Sequence, residues 1–192
     1  MTPTRFSKEK IRCLSRADNS RKGSIDKHVL LLVELLNSND DYYTTSSCSG
    51  RIMLLVPAKT KKDTKWLFVS HEPVALKQVQ HALQGELPRQ EVWLRQEALI
   101  LHVCCMELEH AARLIQASKE AGFKRSGIIA LGKRIIVEIV GTSHFETIVA
   151  TGGKILATRE LLAALVASAN QRLEKNFASI RKFETAVRKM EK

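Results

Sequence analysis

Residues 42–56, YYTTSSCSGRIMLLV, carry the reading that decides the fold. Tyr42, Tyr43, Thr44 and Thr45 have high strand propensity, and Arg51–Val56 reads as a second strand. Ser46–Gly50 is then a turn or bulge between or within strands. Working outward, KTKKDTK (59–65) is a solvated hairpin tip and WLFVSH (66–71) its returning strand. Upstream, Asp26 stands where an N-cap belongs, before KHVLLLVELLN, and Asn37–Asp41 end that helix. The helix is apolar nearly all round, which predicts burial.

The remaining segments alternate in kind. Residues 73–84 read as a helix ended by Gly85. EVWLRQ (91–96) and ALILHVCC (98–105) read as closely joined strands. Glu107–Ala121 is an amphipathic helix with Leu108, Ala111, Ala112, Ile115 and Ala121 on one stripe, stopped by Gly122. GIIALG and RIIVEIVGT form a hairpin around Gly132-Lys133, ETIVA is a further strand, and Gly152-Gly153 a turn. Residues 5–16 make a short basic helix with Phe6, Ile11 and Leu14, followed by a turn-rich stretch, DNSRKGSID (18–26).

The C-terminal segment, 159–190, is one long basic helix capped by Thr158. Leu162, Val166, Ala169, Leu173, Phe177, Ile180, Phe183 and Val187 recur at threes and fours. At 1.5 Å per residue it is roughly 45 Å long, so its far end either lies on the core or extends past it. The expected fold is α+β: a single domain over residues 1–192, with a mixed or antiparallel sheet packed by helices. Residues 1–27 form a basic N-terminal segment.

Composition limits the partners. Of the 192 residues, 44% are hydrophobic and 27% charged, which suits a folded soluble domain. No apolar run reaches the roughly 18–20 residues of a membrane span, and MTPTRFSKEK lacks the apolar core of a secretory signal. Cys13, Cys48, Cys104 and Cys105 form no CxxC, and no histidine stands at zinc-finger spacing, so no metal is expected. A reducing, cytoplasmic setting is the expectation. The net charge is +11, and it is uneven. Residues 1–27 hold eight basic and three acidic side chains, and residues 159–192 eight and four. Basic ends around a nearly neutral middle suit a polyanion such as nucleic acid; the plain alternative is charge that only keeps the protein soluble.

Motif by motif, the familiar enzymes are missing. There is no GxSxG, HExxH or GxxxxGK[ST], and no GxGxxG after a strand, so a doubly wound nucleotide-binding sheet is not expected. Thr44–Gly50 followed by Arg51 is the strongest local feature. Ser46, Ser47, Cys48, Ser49 and Gly50 offer hydroxyls and backbone N–H groups to an oxygen-rich ligand, and Arg51 a two-donor fork for a carboxylate or phosphate. The alternative is a polar turn bonding its own backbone. Arg21, Lys22 and Gly23 form a basic turn that either meets phosphate or is simply solvated. GFKRSGI (122–128) sets Lys124, Arg125, Ser126 and Gly127 in a turn that is either a ligand contact or an ordinary helix-to-strand connection. His102 is either a satisfied core histidine or a catalyst, and Glu138 either faces a site or the solvent.

Together, DNSRKGSID, YYTTSSCSGRI, WLFVSHEPV, ILHVCC, GFKRSGI and ANQRLEKNFASIRKFE resemble, in order, the tRNA wybutosine-synthesizing protein 3 family. The resemblance covers about Phe6 to Phe183 and looks like a eukaryotic, single-domain member. It implies an α+β enzyme that methylates N4 of the 7-aminocarboxypropyl-demethylwyosine base 3′ of the anticodon of tRNA(Phe), with S-adenosyl-L-methionine as donor. The matching positions are Asp18, Ser20, Lys22, Gly23 and Asp26; Thr45–Arg51; and His71, His102, Val103, Gly122, Phe123, Ser126 and Gly127. The reaction needs the acceptor nitrogen to lose a proton, and Asp26 or His102 is the expected base. The turn at Ser46–Arg51, with Ser126 and Gly127, is expected to hold cofactor or substrate, and Arg21, Lys22, Lys124 and Arg125 to meet tRNA. Tyr42, Tyr43, Trp66 and Phe123 are candidate platforms for the splayed base. A non-catalytic RNA-binding accessory protein is the alternative.

Overall fold

The computed structural model describes residues 5–15, 24–60 and 63–190. The turn residues Asp18, Ser20, Arg21, Lys22 and Gly23 lie outside them. The described elements are α1 (Arg5–Leu14), α2 (Lys27–Ser38), β1 (Tyr42–Cys48), β2 (Arg51–Val56), β3 (Lys65–Ser70), α3 (Leu76–Ala82), β4 (Val92–Glu97), β5 (Ile100–Cys105), α4 (Leu108–Glu120), β6 (Gly127–Leu131), β7 (Ile135–Val140), β8 (Phe145–Thr151), β9 (Lys154–Ile155) and α5 (Arg159–Met190). The α+β class and the long final helix agree with the sequence reading, and every strand pair is antiparallel. The strands divide between two sheets, ordered β1-β5-β7-β6 and β3-β2-β4-β8-β9, a division that sequence adjacency hides. β1 and β2, and likewise β4 and β5, are neighbours in sequence but pair in different sheets.

The chain forms two compact units. The first comprises residues 1–49, 99–142 and 177–192, and the second 50–98 and 143–176. In the first unit, the four-stranded sheet has two unlike faces. Leu101, Val103 and Cys105 of β5 and Val137 and Ile139 of β7 are buried on one of them. Tyr42 shares that face with Cys105, and its hydroxyl donates to the His110 carbonyl of α4 at 3.1 Å. On the other face lie Tyr43, Cys104 and Ile136, in one cross-strand row. Helix α1 covers that row: Phe6 packs on Tyr43 with ring centroids 5.2 Å apart, and the Cys13 thiol reaches the Thr44 carbonyl.

The C-terminal half of α5 belongs to the first unit. Phe177 stacks on His28 at 3.7 Å, and Phe183 meets Phe123 edge-on at 6.0 Å. Ile180, Phe183 and Val187 are all buried, so this half of the helix is packed and does not project. In the second unit, Leu162, Val166, Ala169 and Leu173 are the buried residues of α5. Asn170 ties the helix to the segment before α3, accepting from Val74 N–H and donating to its carbonyl, both at 2.8 Å. The Thr158 hydroxyl caps α5 by accepting from Leu161 N–H.

Three local expectations are corrected. Helix α2 is not buried all round: Val29, Leu32, Val33 and Leu36 are inside, whereas Leu30 and Leu31 face out. The buried stripe of α4 is His110, Ala111, Leu114, Ala117 and Ser118, continued by Ala121, not the stripe through Leu108 and Ala112. His110 and Ser118 read as polar, but each has a partner: His110 Nε2 with Asp41 at 3.2 Å, and Ser118 Oγ donating to the Ile115 carbonyl. A partner lowers the cost of burying a polar group, fully for Ser118 and at Nε2 alone for His110, whose Nδ1 is buried without one. Asp26 is the residue before α2, yet its side chain does not cap that helix.

Cys104 and Cys105 are buried thiols, and burial pushes both up, Cys105 to about 12. Cys13 and Cys48 are half-buried. Because the thiolate is the reactive form, iodoacetamide at mild alkaline pH should modify two thiols of the folded protein and the other two only in denaturant. Mass mapping that found Cys104 or Cys105 labelled at the rate of Cys13 would contradict this packing.

Candidate functional site

The hydroxyl-rich motif is anchored at its centre. Asp26 and Ser49 are both buried, and Asp26 Oδ2 accepts from the Ser49 backbone N–H at 2.9 Å and from its hydroxyl at 3.2 Å. Hydrogen bonds to a charged acceptor are worth about 1.5–3 kcal/mol each. The Asp26 carboxylate makes this long-range contact and no side-chain cap to α2. The next residue, Gly50, has φ +101°, and a Cβ there would sit 2.7 Å from the Glu97 carbonyl oxygen. Only glycine fits such a backbone against such a neighbour. The strand β1 runs on through Ser46, Ser47 and Cys48, with a bulge between Thr44 and Ser46. The break that the sequence places over Ser46–Gly50 is therefore confined to Ser49 and Gly50.

Before that break, in the first unit, the motif joins a row of polar groups across the four-stranded sheet. Ser46 of β1 stands opposite His102 of β5, His102 opposite Glu138 of β7, and Glu138 opposite Gly127 of β6. His102 lies two residues along β5 from Cys104, so it shares the face that α1 covers one row away. His102 Nε2 is 2.8 Å from Glu138 Oε2, and Nδ1 is 2.9 Å from Ser46 Oγ. A carboxylate only accepts, so Nε2 carries the proton and Nδ1 of the neutral ring is an acceptor. The Ser46 hydroxyl then donates to Nδ1. The ring is about a quarter exposed, and Ser46 is exposed. His102 is thus no core histidine, and Glu138 does not simply face solvent.

After the break, in the second unit, Arg51 Nε donates to Glu97 Oε2 at 2.8 Å, and its guanidinium lies 4.8 Å from the centre of the Trp66 ring. Arg51 is therefore held in one plane and is not a freestanding fork. Glu97 also lies 3.7 Å from Arg95, which pairs across to Glu146 at 2.6 Å. The imidazole of His71 donates from Nδ1 to the Gly50 carbonyl at 3.0 Å, which leaves Nε2 of a neutral ring as an acceptor.

Other predicted residues are dispersed. Ser126 is buried, and its hydroxyl donates to the Phe123 carbonyl at 2.8 Å, closing its own turn. Gly127 ends the polar row, with no atom near where a Cβ would stand. Lys124 and Arg125 are exposed in the turn that leads into β6. Tyr42, Tyr43 and Phe123 are core residues and offer no ring to a ligand, while Trp66 is half-buried under Arg51. Glu97 was not legible as a partner of Arg51, because strand register, which sequence does not display, brings the two together.

The first unit thus carries an imidazole fixed in one tautomer on a sheet face, in line with the first hydroxyl groups of the motif. The fold that carries it is antiparallel α+β. The chain belongs to the family described as Methyltransferase TYW3, whose sequence profile matches residues 7–189. It is 40% identical over 185 residues to a tRNA wybutosine-synthesizing protein 3 homolog of Mus musculus, covering 93% of this chain and 71% of that one. It is 35% identical to the Archaeoglobus fulgidus tRNA(Phe) 7-((3-amino-3-carboxypropyl)-4-demethylwyosine(37)-N(4))-methyltransferase, covering 97% and 94% of the two chains. The solved structure of the PH1069 protein from Pyrococcus horikoshii superposes with a TM-score of 0.87 at 31% identity, over 95% of each chain.

Gly50→Ala should lower stability by about 1–3 kcal/mol, since it forces a strained backbone against the Glu97 carbonyl. Gly127→Ala, in open space, should change it by less than about 0.5 kcal/mol. Urea midpoints at unchanged m-value measure both; equal effects would contradict the packing at Gly50.

Proposed function

We propose that the protein transfers a methyl group from S-adenosyl-L-methionine to N4 of the 7-aminocarboxypropyl-demethylwyosine base beside the anticodon of tRNA(Phe). Family membership and the names of its relatives support this substrate, and the hydrogen-bonded chain Ser46–His102–Glu138 supplies the chemistry it needs. When bound, S-adenosyl-L-methionine supplies a methyl group on a good leaving sulfonium. The acceptor nitrogen must lose its proton as the new N–C bond forms. His102 Nδ1 takes that proton, through the Ser46 hydroxyl or in its place, and Glu138 stabilises the resulting imidazolium. Of the two bases expected, this geometry favours His102. Asp26 is buried with one oxygen already accepting two bonds from Ser49, and its role is to hold the motif.

The residues of the motif fit the methionyl end of the cofactor. That end is a zwitterion, and Arg51 and Glu97 offer a guanidinium and a carboxylate 2.8 Å apart. The aminocarboxypropyl arm of the substrate base is a zwitterion of the same kind, so the pair is suited to either.

Incubation with labelled S-adenosyl-L-methionine and tRNA from a strain lacking this step should give label in RNA. In single-turnover assays His102→Ala should slow transfer by about 10²–10⁴-fold with the fold intact. Glu138→Gln should slow it less, and the double variant no more than His102→Ala alone, because the two act as one unit. Wild-type rates in both single variants would exclude His102 as the base. Arg51→Ala should lose most of the thermal stabilisation that S-adenosyl-L-methionine gives the wild type. Unchanged stabilisation, with weaker binding only of RNA carrying the arm, would assign Arg51 to the substrate instead.

A further inference from the structure

We infer that the cleft between α1 and the β6–β7 turn binds backbone phosphates of the RNA that presents the target base. The cleft encloses about 590 Å³ and is lined by Arg5, Glu9 and Arg12 of α1 and by residues 130–134, which include Lys133 and Arg134. Four cations thus face one carboxylate. That carboxylate is already engaged: Glu9 Oε2 accepts from Arg134 Nε at 3.0 Å, and Oε1 lies 3.6 Å from Arg5 Nε. The Arg134 hydrogen bond holds the Glu9 carboxyl below the usual carboxylate range. Glu9 therefore pins Arg134 across the cleft and ties α1 to the turn, without cancelling the charge around it. Among the described residues, Arg12 and Lys133 have no carboxylate partner, and both are exposed.

The spacing favours a polymer over a single small anion. Arg5 and Arg12 are seven residues apart, so they share one face of α1 about 10 Å apart. The cleft is open to solvent, and its cations are mounted on a helix and on the turn between β6 and β7. A row of charges held in this way matches repeated phosphates. It also lies on the face already described. Arg134, Ile136 and Glu138 alternate onto one side of the strand, which puts the cleft about 13 Å along β7 from the Glu138–His102 pair. A nucleotide chain lying in the cleft can place a nearby base over His102. This assignment rests on the reading of His102 given above.

The test uses the full chain, with binding and turnover measured separately. Affinity for tRNA(Phe) from a strain lacking the methylation step is measured between about 50 and 300 mM salt. Arg12→Ala and Lys133→Ala should each reduce the slope of log affinity against log salt by about 1. In turnover, the loss should fall on KM for tRNA rather than on kcat, by about three- to tenfold. Lys77→Ala, exposed and outside the cleft, should keep the wild-type slope and rate. Wild-type slopes in both cleft variants would overturn the proposal, and so would an equal loss of affinity for polyglutamate. A wild-type protein that binds RNA with the expected slope dependence but transfers no methyl group would overturn the function and leave the cleft standing.

Discussion

One carboxylate oxygen fixes the end of the first strand. Asp26 Oδ2 takes both the backbone N–H and the hydroxyl of Ser49 in a site closed to water. A buried carboxylate with poor partners would be costly, so the contact fixes the chain where β1 ends. The following residue can only be glycine, because the backbone turns to positive φ against the Glu97 carbonyl. The two constraints act on adjacent residues and together set where the first sheet stops and the second begins. The functional groups of the motif depend on that point. Ser46 faces His102 because β1 is in register up to Cys48, and Arg51 faces Glu97 because β2 starts directly after the break.

Much of this architecture was legible in the sequence, and the exceptions have a common cause. The long C-terminal helix could be read because its apolar residues keep helical period over some thirty positions, and all eight named ones are buried. The strands could be read from branched and aromatic runs. What could not be read was how the strands pair. ALILHVCC follows EVWLRQ so closely that a hairpin is the natural reading, yet the two lie in different sheets. The same ignorance of register hid the Glu97 partner of Arg51 and left Glu138 open between site and solvent.

Asp26 and α4 show the second limit. Local rules assign an aspartate before a helix to the cap, but its partner is 23 residues away, and a stronger distant bond displaced the local one. The stripe of α4 is legible at Ala111 and Ala121 but drawn through Leu108, Ala112 and Ile115 elsewhere, because His110 and Ser118 count as polar when their partners are unknown. In both cases a polar side chain was placed by a contact between segments. The candidate site shows the same limit: its residue types were visible in the motif, whereas its hydrogen-bonded order across β1, β5 and β7 was not.

The discontinuity of the first unit has a consequence for synthesis. Its packing joins residues up to 49 to residues beyond 177, and Phe177 and Phe183 close on His28 and Phe123. A ribosome adds about 5–20 residues per second, so about 7–28 seconds separate the making of α2 from that of the helix half it packs against. During that interval the apolar face of α2, and Phe123 once it is made, lack their final partners. The nascent chain is thus exposed to chaperones, or to its own copies, until nearly all of the residues described here have been made.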